Sequence, residues 1–510
     1  MVKKHFLLLL LSALLGSCSV LQPISEPRRE FRGFWVATVV NIDWPKSGQD
    51  PIEKQKADYL KLLDFYQDLN FNAAIVQVRT AGDAFYESQY APWSRYLTGK
   101  EGKAPDPSAF DMGKGESMLA WMIDQTHQRG MEFHAWLNPY RATFDLKTET
   151  LSADHDFNKH PDWMVRYGKK YYYNPGLPEV QEHMASIVGE LVDNYNIDAV
   201  HYDDYFYPYT IKDEVFNDSL AYNTYRLPGQ DLGDWRRGNM DSLIKKSYRA
   251  IKRSKPWVQF GVSPFGVWKN KATDPKGSDT QAGQTTYENL YADPLLWMEK
   301  GWLDYIVPQI YWSMDLPVAS HRKLLDWWAE NTKRTNLYIG NGPYKIKNNS
   351  DEAWNKKKEL PDQISYARAN EKVQGNVFFS AKSLMLQKKG FVKYLRRNYY
   401  KYPVLSPLSA TPNFTPFTEP ELKGIEREGR SVQLRFDQLD DVRSVVFYRS
   451  KKELQPFYRP KKMVAKIVVG EENTLVLPPE ALKGTKHLAY AFIDKYGKES
   501  EPKILHLKQS

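Results

Sequence analysis

ADYLKLLDFYQDLNFNAAIVQVR, residues 57–79, carries two hydrophobic periods joined by one turn. In its first part Tyr59, Leu62, Leu63, Tyr66 and Leu69 recur at three- and four-residue spacing, which puts them on one helix face. In its second part Ala73–Arg79 is a short β-branched run of strand length. The unit repeats in both directions. Further strands are expected at Gly33–Val40, Glu132–Asn138, Ile197–Asp203, Val258–Pro264, Tyr305–Tyr311, Leu337–Gly342 and Asn376–Ala381. Between them lie helical stripes at Met118–Arg129, Val180–Tyr195, Leu243–Lys252, Pro294–Lys300, Arg322–Thr332, Gln363–Val373 and Val392–Arg397.

Parallel strands need crossover helices, so eight such alternations predict an α/β fold, a (β/α)8 TIM barrel over residues 31–402. A doubly wound open sheet is the alternative, but no GxGxxG or phosphate-binding loop follows any strand. The loops after the second to fifth strands run to roughly 25–40 residues, long for simple connections. In a barrel they meet at the C-terminal face, where catalytic residues gather. After Tyr400 the texture changes. Prolines punctuate a linker over residues 403–420, and short β-rich runs such as SVQLRF and HLAYAFID follow. Residues 421–510 read as a small all-β sandwich resembling a fibronectin type III module, with a spacer or interaction role.

The amino terminus, MVKKHFLLLLLSALLGSCSV, has a basic start at Lys3 and Lys4 and an apolar stretch from Phe6 to Leu15. A bilayer needs roughly 20 apolar residues, so the stretch suits a signal peptide over residues 1–17. Leu15-Gly16-Ser17-Cys18 resembles a bacterial lipobox, which implies cleavage before Cys18 and lipidation of its thiol. The alternative is an ordinary signal peptide with an incidental cysteine. Residues 18–30 then form a tether. Ser19 after Cys18, with no acidic run behind it, fits an outer-membrane lipoprotein facing the periplasm of a Gram-negative cell.

Composition narrows the classes. Of 510 residues 42% are hydrophobic and 26% charged, which excludes a disordered chain. A single cysteine excludes a disulfide framework, a cysteine-rich zinc site and a thiolate-held iron–sulfur cluster. The formal charge of +9 becomes +7 when Lys3 and Lys4 leave (69 basic against 62 acidic residues). That bias implies no nucleic-acid partner. No cofactor and no metal is expected, and His134 and His201 read as barrel-interior residues because no zinc-type His pairing occurs.

The richest strand end is the fourth, IDAVHYDDYFYP, residues 197–208. Alternation puts Ala199, His201 and Asp203 on one face, and Asp203 and Asp204 reach the loop face together. Two adjacent carboxylates are costly to ionise together, so one is driven towards the neutral acid. A neutral acid beside a charged one is what glycoside cleavage requires. Other strand ends supply polar and aromatic groups suited to sugars: Asp43 and Trp44; Arg79 and Asp83; Trp136, Asn138 and Arg141; Gln309, Tyr311 and Trp312; and Asn341. For each aromatic, core packing is the competing role.

Together FRGFWVATVVNIDWP, QVRTAGDAFYES, APWS, AWLNPYR, HYDDYFYP, GVSPFGVW, GSDT and DYIVPQIYWS resemble the glycosyl-hydrolase-like 10 family, in order, from about residue 30 to 400. The resemblance implies a (β/α)8 glycosidase of the bacterial envelope, often a lipoprotein, and one relative acts on peptidoglycan strands stripped of peptides. A looser resemblance to amylase-like enzymes makes Asp203 a nucleophile, yet Ser263-Pro264-Phe265 stands where those enzymes keep an acid. Enzymes of N-acetylhexosamines offer a nearer likeness, in which one of two adjacent acids steadies the 2-acetamido group and its neighbour protonates the leaving oxygen.

These implications lead to a lipid-anchored glycoside hydrolase of an N-acetylhexosamine-containing glycan, denuded peptidoglycan first. Asp203 orients the acetamido group, Asp204 is the acid/base and Asp83 the reserve carboxylate. Asp43, Trp44, Arg79, Trp136, Asn138, Arg141, His201, Tyr205, Gln309, Tyr311, Trp312 and Asn341 are the expected sugar contacts. Two alternatives stand beside it: a covalent hydrolase of a neutral α- or β-glucan with Asp203 as nucleophile and a loop acid such as Asp83 as partner, and a carbohydrate-binding lipoprotein that does not cut.

Overall fold

The computed structural model describes residues 26–110, 117–387, 390–411, 417–450, 459–470, 472–483 and 487–507. The expected signal peptide and Cys18 lie outside the described residues. Ten strands fall in the first part of the chain: β1 (Phe31–Val36), β2 (Ala73–Arg79), β3 (Glu132–Leu137), β4 (Met164–Tyr167), β5 (Lys170–Tyr173), β6 (Ala199–Tyr202), β7 (Gln259–Val262), β8 (Tyr305–Ile306), β9 (Asn336–Asn341) and β10 (Val373–Phe378). Eight of them close a parallel barrel in the order β1-β2-β3-β6-β7-β8-β9-β10, and β4 and β5 form an antiparallel hairpin in the loop after β3.

Each expected strand is present, and the differences have local causes. β8 has two residues instead of seven because Pro308 lacks the N–H a ladder needs, and pairing continues as single bridges from Gln309 to Phe265 and Gly340. β1 stops at Val36 because the chain turns there: Asp43 Oδ2 accepts the Ala37 N–H at 2.8 Å, and Val40 and Asn41 take φ of 52° and 53°. The helix Ile52–Gln67 buries Tyr59, Leu62, Leu63 and Tyr66, and Asn70 in a left-handed conformation reverses the chain into β2.

Strand alternation divides the apolar residues into two cores. One lies between strands and helices, where Phe34 stacks on Tyr66 at 3.6 Å. The other fills the lumen with Phe31, Trp35, Ile75, Trp136, Tyr305 and Tyr338. Tyr305 occupies the space that a side chain at Gly261 would need, since a Cβ there would meet its ring at 2.0 Å. Its hydroxyl meets Nδ1 of both His134 (2.9 Å) and His201 (3.0 Å).

The carboxy-terminal sandwich has a three-stranded and a four-stranded antiparallel sheet, closed over Val432, Leu434, Phe436, Val445, Phe447, Tyr490 and Phe492. It seats on the N-terminal face of the barrel. Within the segment expected as a linker, Leu405 bridges Arg29 before β1 and packs among Val446, Tyr448 and Ile493 of the sandwich. Asp198, just before β6, pairs with Arg443 of the sandwich and with the His127 ring at 2.8 Å, and accepts the Phe133 N–H at 2.8 Å. Burial opposes the charge on Asp198, but Arg443 and His127 together hold its carboxyl far below the usual range.

Candidate active site

The inward face of β6 carries Ala199 and His201, so Asp203 emerges on the lumen side of the C-terminal mouth. Neighbouring strands supply its partners. Asn138, one residue past β3, donates Nδ2 to Asp203 Oδ2 at 3.1 Å. Gln309, past β8, donates Nε2 to Oδ1 at 3.0 Å, and the Asp204 N–H reaches the same oxygen at 2.9 Å. All three partners are N–H donors, so Asp203 is built as an acceptor.

Asp204 is built differently. Its side chain lines the cavity but the residue is only 4% exposed, and Oδ2 accepts the Tyr209 hydroxyl. Burial, and then the charge of Asp203, push its carboxyl well above the usual range. The two carboxyls thus sit in contrasting surroundings, Asp203 among N–H donors and Asp204 against a hydroxyl in a buried position.

Above them is a cavity of about 240 Å³. Trp35, Trp136, Tyr205, Tyr209, Tyr311 and Phe379 form aromatic walls, and Ile42, 40% exposed, belongs to its rim. Gln77, Ser263 and Gln309 add polar edges. The Trp136 indole N–H is buried without a hydrogen-bond partner. A larger cleft of about 1190 Å³ lies at the opposite face, along the seam between barrel and sandwich. Barrel chemistry collects at the C-terminal mouth, so the smaller cavity is the candidate site. Among the described residues no group of three or more His, Cys, Asp or Glu side chains is arranged to hold a metal ion.

Residues 30–356 match the glycosyl hydrolase-like 10 family. Glycosyl hydrolase YngK of Bacillus subtilis is 42% identical over 442 residues, 85% of each chain. The chain belongs to the glycosyl hydrolase-like 10 family. Glycosyl hydrolase DigH of Escherichia coli is a second relative, 37% identical over 378 residues, 68% of this chain and 84% of DigH. Among solved structures, the glycoside hydrolase domain of PgaB (BpsB) from Bordetella bronchiseptica aligns with a TM-score of 0.46 and 12% identity, covering 72% of this chain and 98% of that one. The reaction class of this glycosyl hydrolase-like 10 member is glycoside hydrolysis.

Within that family frame, the expected site residues separate into two groups. Asp203, Asp204, Trp136, Arg141, Tyr205, Gln309 and Tyr311 line the cavity, and Asn138 supports Asp203 from behind. The rest do not line it. His201 is buried beneath the site between Tyr305, Ser263 Oγ (3.0 Å) and the Trp35 indole N–H (3.3 Å). A register shift between Gln77 and Arg79 sets Arg79 opposite the outward Leu137, where it donates to the Asn138 carbonyl and the Tyr173 hydroxyl. Asp83 turns into its own loop, where its Oδ1 accepts from Thr80 Oγ1 (2.8 Å) and the Ala81 N–H (3.1 Å).

Asp43 ties the first loop to the last, through the Ala37 N–H, Ser380 Oγ and the Lys382 N–H. Trp44 packs on Tyr59 and donates to the Gln55 carbonyl, inside the helical core. Trp312 alternates with Tyr311 and packs outward against Phe265. Asn341 shares the outward face of Ile339 and bonds Asn376 at 2.9 Å.

Tyr209, Phe379 and Trp35 line the cavity as well, beyond the expected contacts. Tyr209 continues the tyrosine run of residues 202–207 by one more step, which was a usable signal. Phe379 and Trp35 carry none, because neighbouring strands far apart in sequence bring them to the mouth.

Proposed function

We propose that this protein hydrolyses a glycan containing N-acetylhexosamine, with peptide-free peptidoglycan as the substrate, by participation of the substrate's own acetamido group. The observation that carries the reading is the contrast within the Asp203–Asp204 pair. Asp203, oriented by Asn138 and Gln309, accepts the acetamido N–H and turns the acetamido oxygen towards the anomeric carbon. Asp204 keeps its proton and gives it to the departing glycosidic oxygen. In the second half Asp204 takes a proton from the water that opens the cyclic intermediate. The aromatic walls offer apolar faces for sugar rings, and the unpartnered Trp136 N–H offers a donor.

In the covalent glucan reading Asp83 is not favoured as the partner acid, because it does not line the cavity. The test is release of sugar fragments from peptide-free glycan by Asp203→Asn and Asp204→Asn. Removing a general acid costs about 10²–10⁴-fold, and near-normal turnover in both variants would overturn the assignment. A thiazoline-type inhibitor should bind strongly; failure to inhibit would remove acetamido participation.

The same proposal includes a lipid anchor at Cys18, supported by the apolar stretch Phe6–Leu15 and the Leu-Gly-Ser-Cys sequence. It places the enzyme in the envelope, at the outer membrane facing the periplasm. No helix among the described residues is long and apolar enough to cross a membrane. Metabolic labelling with an alkynyl fatty acid should mark the wild type, and Cys18→Ala should lose the label; an unlabelled wild type would remove the anchor.

A further inference from the structure

Arg141 is the cation among the side chains lining the cavity. It is 7% exposed, donates Nη1 to the Thr80 carbonyl at 3.2 Å and lies over the Tyr205 ring at 4.8 Å. Its Nε is buried without a hydrogen-bond partner. Among the described residues no salt bridge joins it to a carboxylate, although two carboxylates share its cavity. Asp203 is occupied by Asn138 and Gln309, and Asp204 by Tyr209.

A guanidinium carries five donors in a planar fork, and burying one unpaired is costly unless an anion completes it. Lys170 of β5 adds to the imbalance. It is half-buried, and burial and then the Arg141 charge lower its ammonium below the usual range. Within the cavity Arg141 thus lies unpaired by any salt bridge among the described residues, while the Asp pair lies across the same space.

Resting on the N-acetylhexosamine reading above, we infer that Arg141 binds a carboxylate carried by the substrate glycan itself. On peptidoglycan that group is the 3-O-lactyl carboxylate of a sugar whose peptide has been removed. An attached peptide converts this carboxylate to an amide, which removes the charge and adds bulk. Arg141 is then the residue by which the site tells bare strands from peptide-bearing ones.

The experiment compares kcat/KM of the wild type, Arg141→Gln and Arg141→Lys on three soluble oligosaccharides of 2-acetamido sugars. One carries free lactyl carboxylates, one carries them capped as methylamides, and one has no lactyl groups. Wild type should favour the free acid over the amide by about 10- to 100-fold, the scale of one charge-assisted hydrogen-bonding contact. Arg141→Gln should collapse that ratio towards one, and Arg141→Lys should keep part of it. Equal wild-type rates on acid and amide, or an Arg141→Gln loss in the same proportion on all three, would overturn the inference and leave the glycosidase reading standing. If the wild type cuts none of the three, the N-acetylhexosamine reading falls and the inference goes with it. Thermal melts of both variants separate misfolding from lost recognition.

Discussion

The Gln77 amide donates to the amide oxygen of Asn138 at 2.5 Å, and that bond decides what Asn138 offers to Asp203. Gln77 has no freedom in the matter, because its own oxygen accepts the N–H groups of Thr38 (3.1 Å) and Val39 (2.9 Å). Its NH₂ must therefore face Asn138, and the Asn138 NH₂ must face Asp203. Backbone geometry after β1 is thus relayed through two amides to a carboxylate three strands away. Asn138→Ala should lower kcat/KM on peptide-free glycan by about 10- to 100-fold, since a hydrogen bond to a charged group is worth about 1.5–3 kcal/mol. Fragment release under single-substrate conditions measures it, and an unchanged rate would show that Asp203 needs no such orientation.

The pH profile tests the division of roles in the pair. Asp204 acts while protonated, so activity should fall as pH rises through its elevated pKa. Part of that elevation comes from the charge of Asp203. In the residual activity of Asp203→Asn the alkaline limb should therefore move to lower pH. A limb that stays in place would assign it to another group.

Stability should respond to the same carboxyl with a definite sign. A folded-state pKa raised above the unfolded one means the native state holds the extra proton. The fold is then favoured below the usual carboxyl range and loses that advantage as pH rises through the folded pKa. Asp204→Asn cannot ionise, so its melting temperature should exceed that of the wild type at neutral to alkaline pH, with the gap narrowing in acid. Calorimetry across pH reads this directly, and a variant that melts lower throughout would contradict it.

At the far end of the barrel, Arg443→Ala should destabilise the chain by about 3 kcal/mol, the cost of leaving a buried charge without its partner. Among the described residues Asp198 would keep hydrogen bonds with the His127 ring and the Phe133 N–H, with the Lys466 ammonium as a more distant charge. Chemical denaturation measures the loss. Fragment release by the folded variant should change little, because the seam lies at the face opposite the site. A large loss of turnover with normal stability would instead link the sandwich to catalysis.

Spacing by itself determined the barrel, the sandwich and the meeting of Asp203 with Asp204 at one strand end. Those features depend on local periods: 3.6 residues for the helix Ile52–Gln67, two for a strand such as β6, and adjacency for the acid pair. Which other strand-end groups join the pair was a tertiary decision. Inward or outward direction at a strand end depends on where that strand stops and how it registers with its neighbours. The shift at Gln77/Arg79 turns Arg79 away, alternation takes Trp312 and Asn341 to the helical side, and Asp83 turns into its own loop. The closed sheet alone brings Trp35 of β1 and Phe379 after β10 beside Asp203, because β1 and β10 are neighbours in space although they open and close the barrel in sequence. The same closure sets Arg141 in one cavity with the Asp pair, with no salt bridge to either among the described residues, an arrangement that depends on the whole ring of strands.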